Sequence, residues 1–341
     1  MTAIPVDVLT GFLGAGKTSL LNRLLATPEF SDAAVLINEF GEIGLDHLLV
    51  ERVEGEIVLL KSGCVCCTIR GDLKEALLGL LGRRARGEIP AFGRVVTETT
   101  GLADPAPIAA TLALDPALRH HVAPGAVVTV VDAVNGAATL DAHDVAVRQI
   151  AAADRIVLSK IDLAAPAVTE ALTRRLARLN PAAEVVPLDA EAPAPQALLR
   201  MNPHDDAARG REVSRWLAAK VEPEDGRHGP VRAFALTADR PLDWARFGLW
   251  LSMLLNCHGG SILRLKGLLE AEGVATPVVI QGVQHLVHAP SHLAAWPLGR
   301  RGTRLVVIAR DLDPAVVERS FRAFCAPGER AAPPLSAANA Q

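Results

Sequence analysis

Apolar positions along this chain fall into two rhythms. Short, largely apolar runs occur at residues 4–10, 33–37, 56–60, 94–97, 126–131 and 155–158, the pattern of strands covered on both faces. Between them apolar residues recur at helical spacing, as in the stretch after residue 17 and in the Gly- and Ala-rich stretch 71–86. This alternation runs through the first 190 residues and predicts an α/β fold, a mostly parallel sheet with helices on both sides. From 189 to 230 the pattern dissolves into Ala, Pro, Gly and charged residues, with one helical piece at 213–220. Strand-like runs at 231–236, 261–269, 277–281 and 304–308, with helices over 242–255 and 314–324, then predict a smaller α+β domain on an antiparallel sheet. The expected organisation is therefore a first domain at 1–190, a linker at 191–230, a second domain at 231–325 and a disordered Pro- and Ala-rich tail at 326–341.

Chemistry gathers where the strands end. Residues 11–18 read GFLGAGKT between an apolar strand and an amphipathic helix, which is the phosphate-loop pattern in the context it requires. The backbone at Gly11, Gly14, Ala15 and Gly16 is expected to curl around an anion, with the helix N-terminus pointing at it. Lys17 is expected to reach the β and γ phosphates, the Thr18 hydroxyl to take a Mg²⁺ position, and Ser19 to complete the nucleotide-binding set. The strand at 94–97 ends in Glu98, the expected second anchor for Mg²⁺, and Gly101 is placed to offer its N–H to a γ-phosphate. Lys17, Thr18 and Glu98 form the expected catalytic set. Residues 38–44 (NEFGEIG) carry Glu39 and Glu42 on a loop where a switch segment would lie.

Composition narrows the class. Of 341 residues half are hydrophobic and 21% charged, and the formal net charge is −3 with both signs interspersed, so no footprint for nucleic acid appears. No apolar stretch reaches the length of a membrane span and no basic, apolar leader precedes the first strand; a cytoplasmic protein is expected. Five cysteines are an odd number, and Cys64, Cys66 and Cys67 crowd into four positions, which suits a metal better than a disulfide framework. They supply at most three of the four ligands zinc prefers, so the site reads as incomplete, with Glu39 or Glu42 as a candidate further ligand. A redox pair and inert buried thiols are the competing readings. Thiolates favour Zn²⁺ over Co²⁺ and Fe²⁺. Cys257 and Cys325 are expected to be packing residues, and His285, His288 and His292 are a weaker metal-site candidate.

The phosphate loop, residues 38–42 (NEFGE), 63–67 (GCVCC), 98–105 (ETTGLADP) and 159–162 (SKID) occur in the order found in the CobW-type family of metallochaperone GTPases, which the chain resembles. Residues 262–268 (ILRLKGL) and 279–283 (VIQGV) are similar to that family's C-terminal domain. The resemblance implies a phosphate-loop GTPase with Mg²⁺ and GTP or GDP, coupling hydrolysis to delivery of zinc to apo forms of client metalloproteins. Cobalt insertion for cobalamin synthesis, iron delivery to a metalloenzyme, and a non-enzymatic metal store or sensor are the alternatives. Ser159, Lys160 and Asp162 occupy the guanine-reading motif, where the family's Asn is replaced by Ser159; the Asp162 carboxylate preserves the guanine preference. A His-rich run is absent, with only His204 and His228 near the linker. No water-positioning residue or arginine finger announces itself, so slow turnover, raised by a partner or by self-association as a homodimer, is expected. The second domain, with Lys266, is expected to dock the client.

Overall fold

The computed structural model describes residues 3–37, 58–61, 69–188, 198–199, 206–218, 231–299 and 301–325. Seven strands, β1 (Ile4–Gly11), β2 (Ala33–Ile37), β3 (Val58–Lys61), β4 (Arg94–Glu98), β5 (Val122–Asp132), β6 (Arg155–Ser159) and β7 (Glu184–Pro187), form one sheet in the order β3-β2-β4-β1-β5-β6-β7. Every pairing in it is parallel. All eight residues of β1 are buried, as expected of a largely apolar strand covered on both faces.

Successive side chains of β1 serve opposite layers. Leu9 packs with Leu20, Leu21 and Leu24 of α1 (Lys17–Leu25), whereas Val6 and Val8 pack with Leu77 and Leu80 of α2 (Ile69–Ala85) and Ile108 and Leu112 of α3 (Ala106–Leu114). Each such buried side chain contributes about 1.5–3 kcal/mol. α4 (Gly136–Ala142), α5 (Asp144–Ala152) and α6 (Pro166–Leu179) complete the cover over β5 and β6. Polar Asp7 interrupts the apolar run at the point where the β1–β5 register shifts, between Val6 and Val8. There it accepts the Ala126 N–H at 2.7 Å and pairs with buried Arg94, and a Cβ on Gly125 would lie 2.3 Å from its Oδ1.

β8 (Val231–Ala238), β9 (Ile262–Leu269), β10 (Val278–Val283), β11 (Leu286–Val287), β12 (Ser291–His292) and β13 (Thr303–Arg310) form an antiparallel sheet in which β13 lies between β8 and β9. One face is covered by α8 (Trp244–His258) and α9 (Pro314–Cys325), with Trp250 edge-on to Phe321 at 5.0 Å. Burial, then the charge of Asp243, pushes the Cys325 thiol up to about 12, so it is a packing residue as expected; Cys257 is exposed and is not.

The other face of this sheet meets the first domain. Leu263 and Ile308 pack on Ala151 and Val147 of α5, and Val283 on Ala106 and Ala152. The expected helix at 213–220 is α7 (Asp206–Ala218), which starts earlier because Gly210 hid a run of good helix formers. Its Val213 and Trp216 cover Leu268 and Val306, so it is part of the core rather than a bare connection.

At this junction Asp154, 4% exposed, pairs with Arg264 and, at 2.8 Å, with Lys266, and accepts the Val127 N–H at 3.0 Å. Lys266 is 1% exposed, which corrects its expected place on a client-docking surface: an ammonium this deep serves Asp154. Burial depresses its pKa and Arg264 adds to the depression, while Asp154 and Glu212 oppose it.

Candidate functional site

β1 delivers the chain to Gly11 and α1 begins at Lys17, leaving a short loop between them. Gly14 and Gly16 have φ of 70° and 93°, and Gly16 is the N-cap of α1, with no side chain closing the first turn. Gly11 is required by contact as well as conformation, since a Cβ there would sit 2.3 Å from the Val130 carbonyl oxygen. Lys17, largely buried, donates from Nζ to the carbonyls of Gly11 and Phe12 at 3.0 and 3.2 Å, holding its ammonium across the mouth of the loop. Ser19 lies in the first turn of α1.

Two further strand ends close on this loop. The Thr18 hydroxyl donates to Glu98 Oε1 at 2.7 Å, and Glu98 is 5% exposed at the end of β4. Thr99 Oγ1 donates to Thr10 Oγ1 at 2.9 Å, tying the segment after β4 to β1. Gly101 presses on the phosphate loop so closely that a Cβ would stand 2.6 Å from the Leu13 nitrogen. On the opposite side Ser159 Oγ donates to the Ala15 carbonyl at 2.7 Å, so the hydroxyl itself ties the loop where the family's Asn would stand. Lys160, with φ of 57°, donates from Nζ to the Gly14 carbonyl and to Asp132 Oδ2, each at 2.8 Å. Asp162 is exposed on the single 3-10 turn that follows.

Two participants escaped the sequence reading. Asp132 ends β5 and accepts from Lys160, from the Asn135 side chain and from the amides of Val134 and Asn135. Burial pushes its carboxyl up, but those donors outweigh it and hold the pKa below the usual value. A carboxylate closing the 126–131 run was the available signal, of the same kind that singled out Glu98. Gln149 on α5, 1% exposed, donates to the carbonyls of Gly101 and Ala103 at 3.2 and 3.0 Å. Nothing local marks it, because its targets lie 48 and 46 residues away. A cavity of about 250 Å³ opens beside the loop, lined by Phe12, Leu13, Asp132, Asn135, Gln149 and Lys160.

Glu39, Glu42, Cys64, Cys66 and Cys67 lie outside the described residues. The strands that precede them do not: Ile37 pairs with Glu98 on one side and Lys61 on the other, so β2, β3 and β4 all end on one rim. Among the described residues no three His, Cys, Asp or Glu are grouped to hold a metal, and His292 instead meets the Thr276 hydroxyl at 2.9 Å. No described helix is long and apolar enough to cross a membrane.

A parallel sheet whose central strand runs through a glycine loop into a helix, with a Lys, a Thr–Glu pair and a second Lys converging there, defines a phosphate-loop nucleotide-binding protein. Residues 5–187 match the CobW/HypB/UreG nucleotide-binding domain and residues 231–325 the cobalamin synthesis protein CobW C-terminal domain. The chain is 34% identical over 292 residues to the zinc chaperone YjiA of Escherichia coli (strain K12), covering 85% of this chain and 89% of that one. It is 32% identical to the zinc chaperone CobW of a Sinorhizobium species, covering 94% and 97%. The crystal structure of the Zn(II)-bound YjiA GTPase superposes with a TM-score of 0.73 at 27% identity, over 95% of this chain and 99% of that one. The chain belongs to the CobW family of nucleotide-binding proteins.

Proposed function

We propose that this protein is a GTP-hydrolysing zinc chaperone, with residues 1–190 as the GTPase, 191–230 as a connection whose helix α7 packs on the second sheet, and 231–325 as the unit that meets an apo client metalloprotein. The observation that carries the nucleotide reading is the convergence of Lys17, Ser159 and Lys160 on the carbonyls of one loop. The metal reading rests on the zinc-chaperone relatives together with the C-x-C-C spacing of Cys64, Cys66 and Cys67.

In this reading the backbone of Gly11, Gly14, Ala15 and Gly16 cradles the phosphates, with Lys17 and Ser19 at their edge and Gly101 at the terminal phosphate. Asp162 accepts from guanine, while Ser159 and Lys160 brace the loop from behind. The adjacent Thr18 hydroxyl and Glu98 carboxylate are hard oxygen donors that fit Mg²⁺, directly or through its water shell. Bound there, Mg²⁺ would neutralise charge on the β and γ phosphates. Lys17, Thr18 and Glu98 thus form the catalytic set. Zinc is the cargo, held by Cys64, Cys66 and Cys67 with Glu39 or Glu42 beside them. Because β2, β3 and β4 end side by side, the chain segments carrying those residues leave the sheet next to Glu98, which supports coupling between nucleotide state and grip on the metal.

Phosphate release from GTP tests the enzyme: Lys17→Ala is expected to abolish turnover, and normal turnover would remove the assignment. Zinc titrations with GDP and with a non-hydrolysable GTP analogue test the coupling; different affinities are expected, and equal ones dismiss it. Replacing Cys64, Cys66 and Cys67 together is expected to remove tight zinc binding and leave nucleotide binding intact.

A further inference from the structure

Three parts of the molecule meet on one carboxylate to which the nucleotide reading gives no task. Asp104 stands at the end of the segment that leaves β4. Its Oδ1 accepts the Ala106 N–H at 3.0 Å, at the start of α3. Its Oδ2 lies 3.1 Å from Nε of Arg148 on α5 and accepts from Gln284 Nε2 of the second domain at 3.4 Å. The Gln284 bond spans 180 residues of chain, so it ties the second sheet directly to the segment after β4.

The same segment borders the phosphate loop at its other end. Glu98 accepts the Thr18 hydroxyl, the Thr99 N–H donates to the Leu9 carbonyl at 2.9 Å, and Gly101 presses on Leu13. Gln149, next to Arg148 on α5, holds the carbonyls of Gly101 and Ala103, and the Ala103 N–H closes a turn on the Thr100 carbonyl at 3.1 Å. The segment is therefore gripped in front by β1 and the phosphate loop, and behind by α5 and the second domain. Displacing Asp104 displaces Gly101, since the turn between them is short and bonded at both ends.

The hairpin that supplies Gln284 is shaped for this reach. β10 and β11 pair Val283 with Leu286, which leaves a two-residue turn of Gln284 and His285. Gln284 has φ of 53°, a left-handed conformation that such turns usually give to Gly, Asn or Asp. A longer side chain held there against its backbone preference points to a contact that needs it, and that contact is Asp104. Val283 beside it, 1% exposed, packs on Ala106 and Ala152, so the tip of the hairpin is seated on α3 and α5.

We propose that Asp104 is a positioning residue for GTP hydrolysis, through which Gln284 lets the second domain set where the Gly101 segment lies against the phosphate loop. This deepens the GTPase reading above and rests on it. A partner that shifts the β10–β11 turn would then change turnover without touching the nucleotide.

Exchanging the two groups tests the contact. Gln284→Glu sets a second carboxylate against Asp104, and Gln284→Met removes the donor at similar size. The double variant Asp104→Asn with Gln284→Glu restores one donor and one acceptor with their roles reversed. In hydrogen exchange of the full-length chain without nucleotide, the amides of residues 99–106 are expected to exchange about two- to tenfold faster in Gln284→Glu, less so in Gln284→Met, and near the wild-type rate in the double variant. GTP hydrolysis is expected to fall in the same order through kcat, with KM and the melting transition retained. Unchanged exchange in both single variants, or a double variant no closer to wild type than Gln284→Glu, overturns the proposal whether or not the chain hydrolyses GTP. Faster exchange with kcat unchanged makes the contact a structural tie only and overturns it equally. A wild-type chain that shows the exchange order and releases no phosphate would instead remove the GTPase reading on which the proposal rests.

Discussion

Ser159 shows how far a single position is legible. Its replacement of the family's Asn reads in sequence as the loss of an amide, whereas in the fold its hydroxyl reaches the carbonyl of Ala15, 144 residues away in the chain. The phosphate loop itself was legible because all its parts lie within eight consecutive residues, and Glu98 because it closes an apolar run. Lys160 was placed by its motif, but its tie to Asp132 was not, since that bond spans 28 residues and depends on a left-handed backbone at Lys160. Ser159→Ala is expected to lose about 1 kcal/mol of loop anchoring and so weaken GDP about fivefold. Titration of a fluorescent GDP analogue measures it; unchanged affinity would mean that the Ala15 carbonyl needs no donor. By the same logic Lys17, whose ammonium already spans the loop mouth, is the substitution with the largest effect on the nucleotide.

At the scale of elements, α5 has two clients. Its Gln149 holds the segment around Gly101, and its Val147, Ala151 and Ala152 pack against the second domain. Arg148 beside them pairs with Asp104 at 3.1 Å, and Asp104 in turn meets Gln284 of the second domain at 3.4 Å. Gln149→Leu is expected to leave two carbonyls short of a donor, at a cost of about 1–3 kcal/mol. It should also change the rate of phosphate release, because the Gly101 segment loses its support. Denaturation and hydrolysis assays on the same sample check both, and a variant unaffected in both would mean water replaces the side chain. The strand runs and the alternation of helix and strand were readable because periodicity is local. The early start of α7 was not, because Gly210 interrupts its run of helix formers and the partners of its Val213 and Trp216, Leu268 and Val306, lie in a sheet far downstream. A tertiary partner at that distance leaves no periodic trace.

The whole molecule is held by the ionic junction at Asp154. Asp154→Ala strands Arg264 and Lys266 without their carboxylate and is expected to cost about 3–5 kcal/mol in chemical denaturation. A smaller loss would mean that water reaches the junction. Lys266 adds a pH signature. Its folded pKa lies below the unfolded 10.5, so between those values the unfolded chain binds more protons and stability rises with pH. Lys266→Met is expected to flatten that rise, which melting curves across the alkaline range would follow.

Because α5 is roofed by the second domain's sheet, excising the GTPase as a separate fragment would bring Val147, Ala151 and Ala152 to the solvent and strip Asp154 of both its cations. Such a fragment would be prone to clump through its newly bared side. Loss of activity after truncation would then report a damaged surface, and a client-binding role is better mapped by point changes on the outer face of α8, where Leu249 and Met253 already stand in solvent.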